Sequence, residues 1–296
     1  SGSNAATAGW GGSQGTNLTG ALNISSSFSL TTSLTLNSTG NSSITGNLTL
    51  ASNATNSWTV AANRAMTVSG ILAGSNASIT KNGTGTLTLS GNNTYTGTTT
   101  INAGTIEIGA AGRLGSGTYA QNITNNGTLI YSGTNAQTLS GVISGTGNLT
   151  QNASSTLTLS GANTYTGTTT VNAGTLSIGN TMTIGAITGS GNLSLGNGFT
   201  LTTNSTSNST FSGVISGSGA LTKNGASSLT LGANNTYSGA TTISAGTIEI
   251  GAAGRLGGGN YSQNIANNGV LIYSGTNNQT LGGVISGTGA LTHNAS

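Results

Sequence analysis

Apolar and polar side chains alternate along most of the chain, in short runs that are separated by turn residues. Typical runs are TLTLS at Thr86–Ser90, TIEI at Thr105–Ile108 and GTLIYSG at Gly127–Gly133. A period of two residues is that of a β-strand with one buried face. The runs are separated by glycine clusters and by Asn-Gly or Ala-Gly pairs, which are typical of turns. Because no stretch has the period of a helix, the pattern predicts an all-β protein with no α-helix.

The strand pattern is itself repeated along the chain. Residues 91–150 can be placed on residues 233–292 at an offset of 142, with 48 identities in 60 positions. A weaker repeat has about half that period, since GVISGTG begins at Gly141 and again at Gly283, with GVISGSG at Gly213 between them. Such arrays are typical of solenoids, in which each coil stacks on the next.

Two all-β arrangements compete for strands of this length, an antiparallel sandwich or barrel and a parallel β-solenoid. The chain has no proline, as expected if every strand N–H pairs with a neighbouring coil. Glycine recurs where tight corners would need a positive φ. We therefore predict a β-solenoid with about 24 residues per coil and three coils in each unit of about 71 residues. Roughly 12–14 coils would form a rod on the order of 60 Å long.

The regularity of the repeats divides the chain into two predicted regions. In residues 1–60, apolar and polar side chains alternate but the repeat of about 71 residues is missing, and we expect irregular solenoid coils there. Residues 61–296 are expected to form the regular array, with its super-repeat at an offset of 142. Leu291–Ser296 matches the start of Leu149–Gly161 and then stops. We therefore expect the array to be truncated in mid-coil and to be a segment of something longer.

Three blocks share the order L-x-L-x-G, N-x-Y-x-G and A-G-T-[IL]-x-[IV]-G, with small departures in the third. They are Gly83–Gly109, Ser154–Gly179 and Ser227–Gly251. The blocks resemble the autotransporter-associated β-strand repeat, or passenger-associated transport repeat, of bacterial surface proteins. The resemblance implies a right-handed parallel β-helix that is secreted and displayed on the bacterial cell surface, in an adhesion or biofilm context. It implies no catalytic residues, since the motif is structural.

The composition argues against an enzyme. Five basic and two acidic residues are the only charged side chains among 296, and aspartate and cysteine are absent. Disulfides, thiolate metal sites and Asp-rich calcium loops are therefore excluded. The basic residues are scattered and form no nucleic-acid-binding patch, and no apolar run is long enough to predict a membrane-spanning helix. We predict a chain with no catalytic residues, cofactor or metal, no nucleic-acid partner and no direct insertion into the membrane.

The two carboxylates, Glu107 and Glu249, are predicted to act separately. They lie about six coils apart, which is on the order of 29 Å along a rod. Paired carboxylates in glycoside hydrolysis lie about 5 to 9.5 Å apart. Each glutamate stands between two isoleucines of a strand, so we expect each to face solvent.

His293 is the only histidine, and the repeats give three positions equivalent to it: Lys81, Gln151 and Lys223. A position that accepts Lys, Gln and His is predicted to be exposed and to tolerate side chains of different chemistry. A role for His293 as a metal ligand or base is therefore not expected.

Tyr95, Tyr165 and Tyr237 recur in register, and two interpretations are open. An aromatic row on the surface of a β-helix would stack on sugars, which makes these three the candidate glycan-contact residues. The alternative, which we favour, is packing at a corner with the hydroxyl group reaching water.

Threonine rows such as Thr98–Thr100 and Thr168–Thr170 raise the question of an ice-binding surface. Such a surface would need threonines on successive coils. The TTT blocks recur only about every third coil, so we do not expect one.

These patterns favour a structural function over a binding or catalytic one. We predict a non-enzymatic rod in the stalk of a secreted bacterial surface protein or in an extracellular fibre. The alternative is a carbohydrate-binding adhesin module that uses a Tyr/Asn face and contacts host or matrix glycans. Because the chain has so little charge, repulsion between copies is weak, and we expect lateral or end-to-end self-association.

Overall fold

The computed structural model describes residues 16–20, 23–251 and 253–294. Within these ranges the chain forms short β-strands and two single-turn 3-10 segments, with no α-helix. The strands pair in parallel with strands of the preceding and following coils. The prediction of an all-β parallel solenoid is therefore confirmed. The chain divides into two compact units, residues 1–148 and 149–296.

The described part of the first unit contains strands β1 to β18 and one 3-10 segment, Gly115–Gly117, between β13 and β14. The strands are β1 (Thr16–Thr19), β2 (Asn23–Ile24), β3 (Phe28–Ser29), β4 (Leu34–Ser38), β5 (Ser42–Ile44), β6 (Leu48–Thr49), β7 (Thr55–Val60), β8 (Ala65–Val68), β9 (Leu72–Ala73), β10 (Ser78–Asn82), β11 (Thr86–Leu89), β12 (Thr99–Ile101), β13 (Thr105–Ile108), β14 (Thr118–Tyr119), β15 (Ile123–Asn125), β16 (Thr128–Tyr131), β17 (Gln137–Leu139) and β18 (Ile143–Ser144).

The described part of the second unit contains strands β19 to β38 and a second 3-10 segment, Gly257–Gly259, between β32 and β33. The strands are β19 (Asn148–Gln151), β20 (Thr156–Leu159), β21 (Thr169–Val171), β22 (Thr175–Ile178), β23 (Met182–Ile184), β24 (Ile187–Gly189), β25 (Asn192–Leu195), β26 (Thr200–Asn204), β27 (Ser209–Phe211), β28 (Ile215–Gly217), β29 (Ala220–Asn224), β30 (Ser228–Leu231), β31 (Thr241–Ile243), β32 (Thr247–Ile250), β33 (Asn260–Tyr261), β34 (Ile265–Asn267), β35 (Val270–Tyr273), β36 (Thr280–Leu281), β37 (Ile285–Ser286) and β38 (Ala290–His293).

Each coil contributes strands to two or three sheets. In the first unit, sheet a has the order β1-β4-β7-β10-β12-β15-β18 and sheet b has the order β2-β5-β8-β11-β13-β16. In the second unit, sheet c has the order β19-β21-β24-β27-β30-β32-β35-β38, and sheet d has the order β23-β26-β29-β31-β34-β37. The third side of the second unit is sheet e, β20-β22-β25-β28. Sheets b and c contain six and eight strands, about 14 turns in all, which confirms the predicted number of coils.

The core of each unit is a stack of aliphatic side chains from equivalent strand positions. In sheet b, Leu87, Ile106 and Leu129 are in direct register on successive coils, and each is at most 1% exposed. The residues between them along each strand face outward. Burying one such side chain contributes about 1.5–3 kcal/mol, so the alternating pattern itself sets the register of the ladder.

A glycine closes the corner that precedes the last strand of each A-G-T block. Gly104 has a φ of +69°, and a Cβ atom there would lie 2.4 Å from the carbonyl oxygen of Gly85 on the preceding coil. Gly174 and Gly246 have φ values of +57° and +70° at the equivalent corners. Any residue with a side chain would be strained by the positive φ, and its Cβ atom would also collide with backbone. Glycine is therefore required for two separate reasons.

The coils are not of uniform length, so the predicted value of about 24 residues per coil does not describe each coil separately. On sheet a, Thr80 pairs with Thr100 and Thr100 pairs with Thr124. The second of these coils therefore contains more residues than the first. In sheet d, Thr183 pairs with Thr202, which is a shorter step than either. Corners absorb these differences while the strands stay in register. The predicted boundary between irregular and regular coils at residue 60 stays a prediction.

Candidate functional site

The three tyrosines predicted as candidate glycan contacts lie inside the protein. Tyr95, Tyr165 and Tyr237 are each 0% exposed, so no ring face is open to a sugar and the packing alternative describes them. Their hydroxyl groups do not reach water as that alternative supposed. Each lies within hydrogen-bonding distance of the hydroxyl of a threonine four residues later, at 2.8, 2.6 and 2.6 Å: Thr99, Thr169 and Thr241.

Two of these tyrosines belong to a chain of buried hydroxyl groups. Thr99 Oγ1 lies 2.8 Å from Tyr95 Oη and 2.8 Å from Tyr119 Oη, and Tyr119 donates to the carbonyl of Gly97 at 2.5 Å. The two rings meet edge to face with centroids 5.6 Å apart. The second unit repeats the arrangement with Tyr237, Thr241, Tyr261 and Gly239. The chain of hydroxyls links two successive coils through the core.

Burial keeps these phenols neutral. Desolvation raises the pKa of Tyr95 to about 12 and raises the pKa values of Tyr119, Tyr165 and Tyr237 as well. A neutral phenol serves as a hydrogen-bond donor and has no base next to it to remove its proton. The chain of buried hydroxyl groups therefore stabilises the corner and does not provide acid-base chemistry.

The asparagine of the N-x-Y-x-G motif is a buried cross-link that sequence reasoning missed. Asn93 is 0% exposed; its Oδ1 accepts from the N–H of Leu72 at 3.0 Å, and its Nδ2 donates to the carbonyls of Gly91 and Arg113 at 2.8 and 3.1 Å. Asn235 makes the equivalent three bonds. The signal was present, since an asparagine that recurs two residues before each motif tyrosine occupies a fixed place in the corner.

The prediction that the Lys/Gln/His position is exposed is wrong for three of its four members. Lys81, Gln151 and Lys223 are 0%, 0% and 1% exposed. The position faces inward because the strand alternation continues through it, with Ile79 and Lys81 on the same face of β10. His293 is exposed, as predicted.

Each buried member of this position donates to backbone carbonyls at a corner. Lys81 Nζ donates to the carbonyls of Asn82, Gly83 and Ala103 at 2.9, 2.7 and 3.3 Å. Equivalent bonds join Lys223 Nζ to Asn224 and Gly225, and Gln151 Nε2 to Ala153 and Ser155. Ala103 is on the next coil, so Lys81 ties its own turn to the A-G-T corner above it.

Burial also lowers the pKa of Lys81 to about 8 and lowers the pKa of Lys223. A lysine with a lowered pKa would serve as a nucleophile if a substrate reached it. Here the amino groups are enclosed by carbonyls and covered by the chain. The geometry indicates that the lysine amino groups satisfy backbone carbonyls that have no partner in the strand ladders, and that they do not act as reactive amines.

The remaining ionisable candidates do not form a site. Glu107 and Glu249 lie in different units and are partly exposed. Each accepts a hydrogen bond from a serine, Ser132 to Glu107 at 2.7 Å and Ser274 to Glu249 at 2.5 Å. The ring of His293 stacks on that of Tyr273 with centroids 5.6 Å apart.

In the described ranges, no three His, Cys, Asp or Glu side chains lie close enough together to hold a metal ion. The same ranges contain no helix with the length and apolarity needed to cross a membrane.

Comparison with known proteins agrees with the motif placement. The family model of the passenger-associated-transport-repeat matches residues 79–108, 149–178 and 221–250. These segments run from β10 to β13, β19 to β22 and β29 to β32, and each contains the inward Lys or Gln, the motif tyrosine and the A-G-T corner.

A curated relative is the adhesin BmaC autotransporter of Brucella suis biovar 1 (strain 1330). It is 38% identical over 291 aligned positions, which cover 78% of this chain and 8% of the relative. The chain thus spans about one twelfth of the length of that protein. No solved structure matches the chain. The resemblance predicted from the three motif blocks is confirmed: this chain carries three passenger-associated-transport-repeats and is similar to part of an autotransporter adhesin.

Proposed function

We propose that this chain is a non-enzymatic structural segment of a secreted bacterial surface protein, a β-solenoid stalk in the passenger of an adhesin. The observation that supports the proposal is the placement of the motif residues: its Asn, Tyr, Lys and Gly residues all form part of the corners between strands. Asn93, Tyr95 and Lys81 are each 0% exposed. Nothing in the motif is left over for chemistry on a substrate.

The location on the cell surface is supported by the passenger repeats and by the adhesin relative. The turn at Asn197 and Gly198 offers a place to test it, because both residues are exposed and a Cβ atom at Gly198 would have no neighbour within 4 Å. A short epitope inserted between them in the full-length parent protein should be labelled by antibody on intact cells. A second epitope, between the exposed Ser52 and Asn53, gives an independent position in the first unit.

Labelling of both epitopes only after permeabilisation would contradict the proposal. An epitope on a cytoplasmic protein of the same cells serves as the control for membrane integrity. Circular dichroism of the purified variants should retain the β-sheet signal of the wild type.

Self-association and a place in an adhesive matrix or biofilm are the finer part of the proposal. Seven charged residues in 296 leave little repulsion between copies. Association through such neutral surfaces should change little between low and high salt, because there are few charges to screen. Sedimentation velocity over a concentration series at two ionic strengths would measure it, and a chain that stays monomeric at all concentrations would remove self-association from the proposal.

A further inference from the structure

One face of the first unit carries hydroxyl groups in register on successive coils. The outward residues of sheet a form a central row, one from each of six consecutive strands: Thr35, Ser57, Thr80, Thr100, Thr124 and Ser144. All are partly exposed or exposed. The TTT blocks recur only about every third coil, but threonines and serines from other segments fill the same outward position on the coils between them.

Two further rows flank the central one, and together the three rows are here termed the hydroxyl lattice. One flank contains the hydroxyl residues Thr55, Ser78 and Thr98, and the other contains Thr59 followed by the side-chain amides of Asn82 and Asn102. Strand geometry sets the rows about 6.7 Å apart and the coils about 4.8 Å apart.

Hydrogen bonds hold the flanking side chains in place. Thr98 Oγ1 donates to Ser78 Oγ at 3.2 Å, and Asn102 Nδ2 donates to Asn82 Oδ1 at 2.9 Å. In the described part of the chain, the hydroxyls of the central threonines, such as Thr80 and Thr100, bond to no other residue. They remain available to a ligand.

The hydroxyl lattice is uncharged. Lys81, the charged residue within its strands, points inward and is 0% exposed. Sheet b provides an internal contrast, because its outward row continues from Thr88 to Glu107 and Ile130. A charge and an aliphatic side chain interrupt that row.

The second unit carries a similar row on sheet d. Thr183, Thr202, Thr222 and Thr242 occupy paired outward positions on four consecutive strands. Their local sequences differ, reading MTI, LTT, LTK and TTI in chain order. The row therefore arises from solenoid register and not from one repeated motif.

We propose that the hydroxyl lattice binds ice, a function distinct from that of a structural stalk. Oxygen atoms on faces of hexagonal ice repeat along two perpendicular directions with spacings close to those of the coils and rows. The backbone ladder fixes the hydroxyl spacing before binding, so little side-chain order has to be gained. Water molecules anchored on regularly placed hydroxyls would join the crystal lattice, and no ionic group is present to impose a different hydration shell.

The test uses the full chain and two matched variants. The double variant Thr80→Tyr, Thr100→Tyr places bulky rings in the centre of the hydroxyl lattice. The control Thr88→Tyr places one on sheet b at a similarly half-buried outward position. Recrystallisation of ice in a sucrose solution and uptake of protein labelled at its amino terminus into a growing ice crystal are measured, with circular dichroism to confirm that each variant is folded.

We expect the wild type and Thr88→Tyr to inhibit recrystallisation and to enter the ice, and the double variant to lose both effects. Wild-type protein excluded from ice would overturn the proposal. So would a double variant that behaves as wild type, because another face would then be responsible. If the lattice substitutions instead abolish dimer formation or adsorption to an insoluble polysaccharide, with no effect of the wild type on ice, the face has a different ligand and the proposal is wrong.

Discussion

At the scale of single residues, polar side chains supply the hydrogen bonds that strand ladders cannot make at corners. Lys81 caps three carbonyls, and Asn93 joins three backbone groups. A buried carbonyl without a donor costs roughly 1–3 kcal/mol, so each such side chain stabilises the turn that it serves. Gln151 performs this task with a neutral amide, which makes glutamine a natural substitute for Lys81.

The pH dependence of Lys81 gives the first prediction. Its pKa is about 8 in the folded protein and near 10.5 when unfolded, so between these values the unfolded chain binds more protons. The free energy of unfolding should therefore rise with pH from about 8 towards 10. Above about 10 the unfolded tyrosines ionise while buried ones such as Tyr95 stay neutral, so stability should then fall. In Lys81→Gln the rise should be weaker, as measured by urea unfolding at several pH values.

The control for this experiment is Arg64→Gln, since Arg64 is exposed on a turn. That variant should keep the pH profile of the wild type. Equal slopes for wild type and Lys81→Gln between pH 8 and 10 would show that Lys81 has the same pKa folded and unfolded.

At the scale of elements, the corners impose stricter requirements than the strands. Ala at Gly198 would face only the positive φ of +77°, since no atom lies within 4 Å of the added Cβ. Ala at Gly104 would meet the carbonyl oxygens of Gly85 and Gly83 at 2.4 and 2.5 Å in addition. The two substitutions thus separate conformational strain from collision.

We predict that Gly198→Ala costs about 1 kcal/mol of stability, the strain of a left-handed alanine. Gly104→Ala should cost roughly 3 kcal/mol or more, because two coils must move apart at that corner. Chemical denaturation with matched m-values measures both. Equal losses would mean that the A-G-T corner relaxes freely around a methyl group.

The strands and the A-G-T corners were predictable because their signals, the alternation of apolar and polar residues and the glycines of tight turns, lie within a few neighbouring residues of the sequence. The inward position of Lys81 was not, since a charged residue normally signals a solvent-facing position. The continuous row through Thr80, Thr100 and Thr124 was hidden for another reason: unequal corner lengths disguise which residues pair. Register across coils is a tertiary property, and sequence spacing alone does not determine it.

At the scale of the whole molecule, burial determines where a protease can act. The chain contains five basic residues, and two of them, Lys81 and Lys223, are at most 1% exposed. Arg64 is exposed, yet its backbone N–H donates to Ala61 at 3.1 Å and its carbonyl accepts from Thr86 at 3.0 Å. Cleavage at Arg64 needs only local opening of that turn, whereas cleavage at either lysine needs a strand to leave its sheet.

Trypsin should therefore cut the native protein slowly and first after Arg64, giving one fragment that ends at Arg64 and one that begins at Ala65. Mass spectrometry of a time course identifies the first products, and Arg64→Gln should remove them and lengthen the lifetime of the intact chain. In urea, where the ladders are lost, all five basic sites should be cut at comparable rates. Early fragments that end at Lys81 or Lys223 under native conditions would mean that these paired strands open more readily than the exposed turn, which is incompatible with the burial of both lysines.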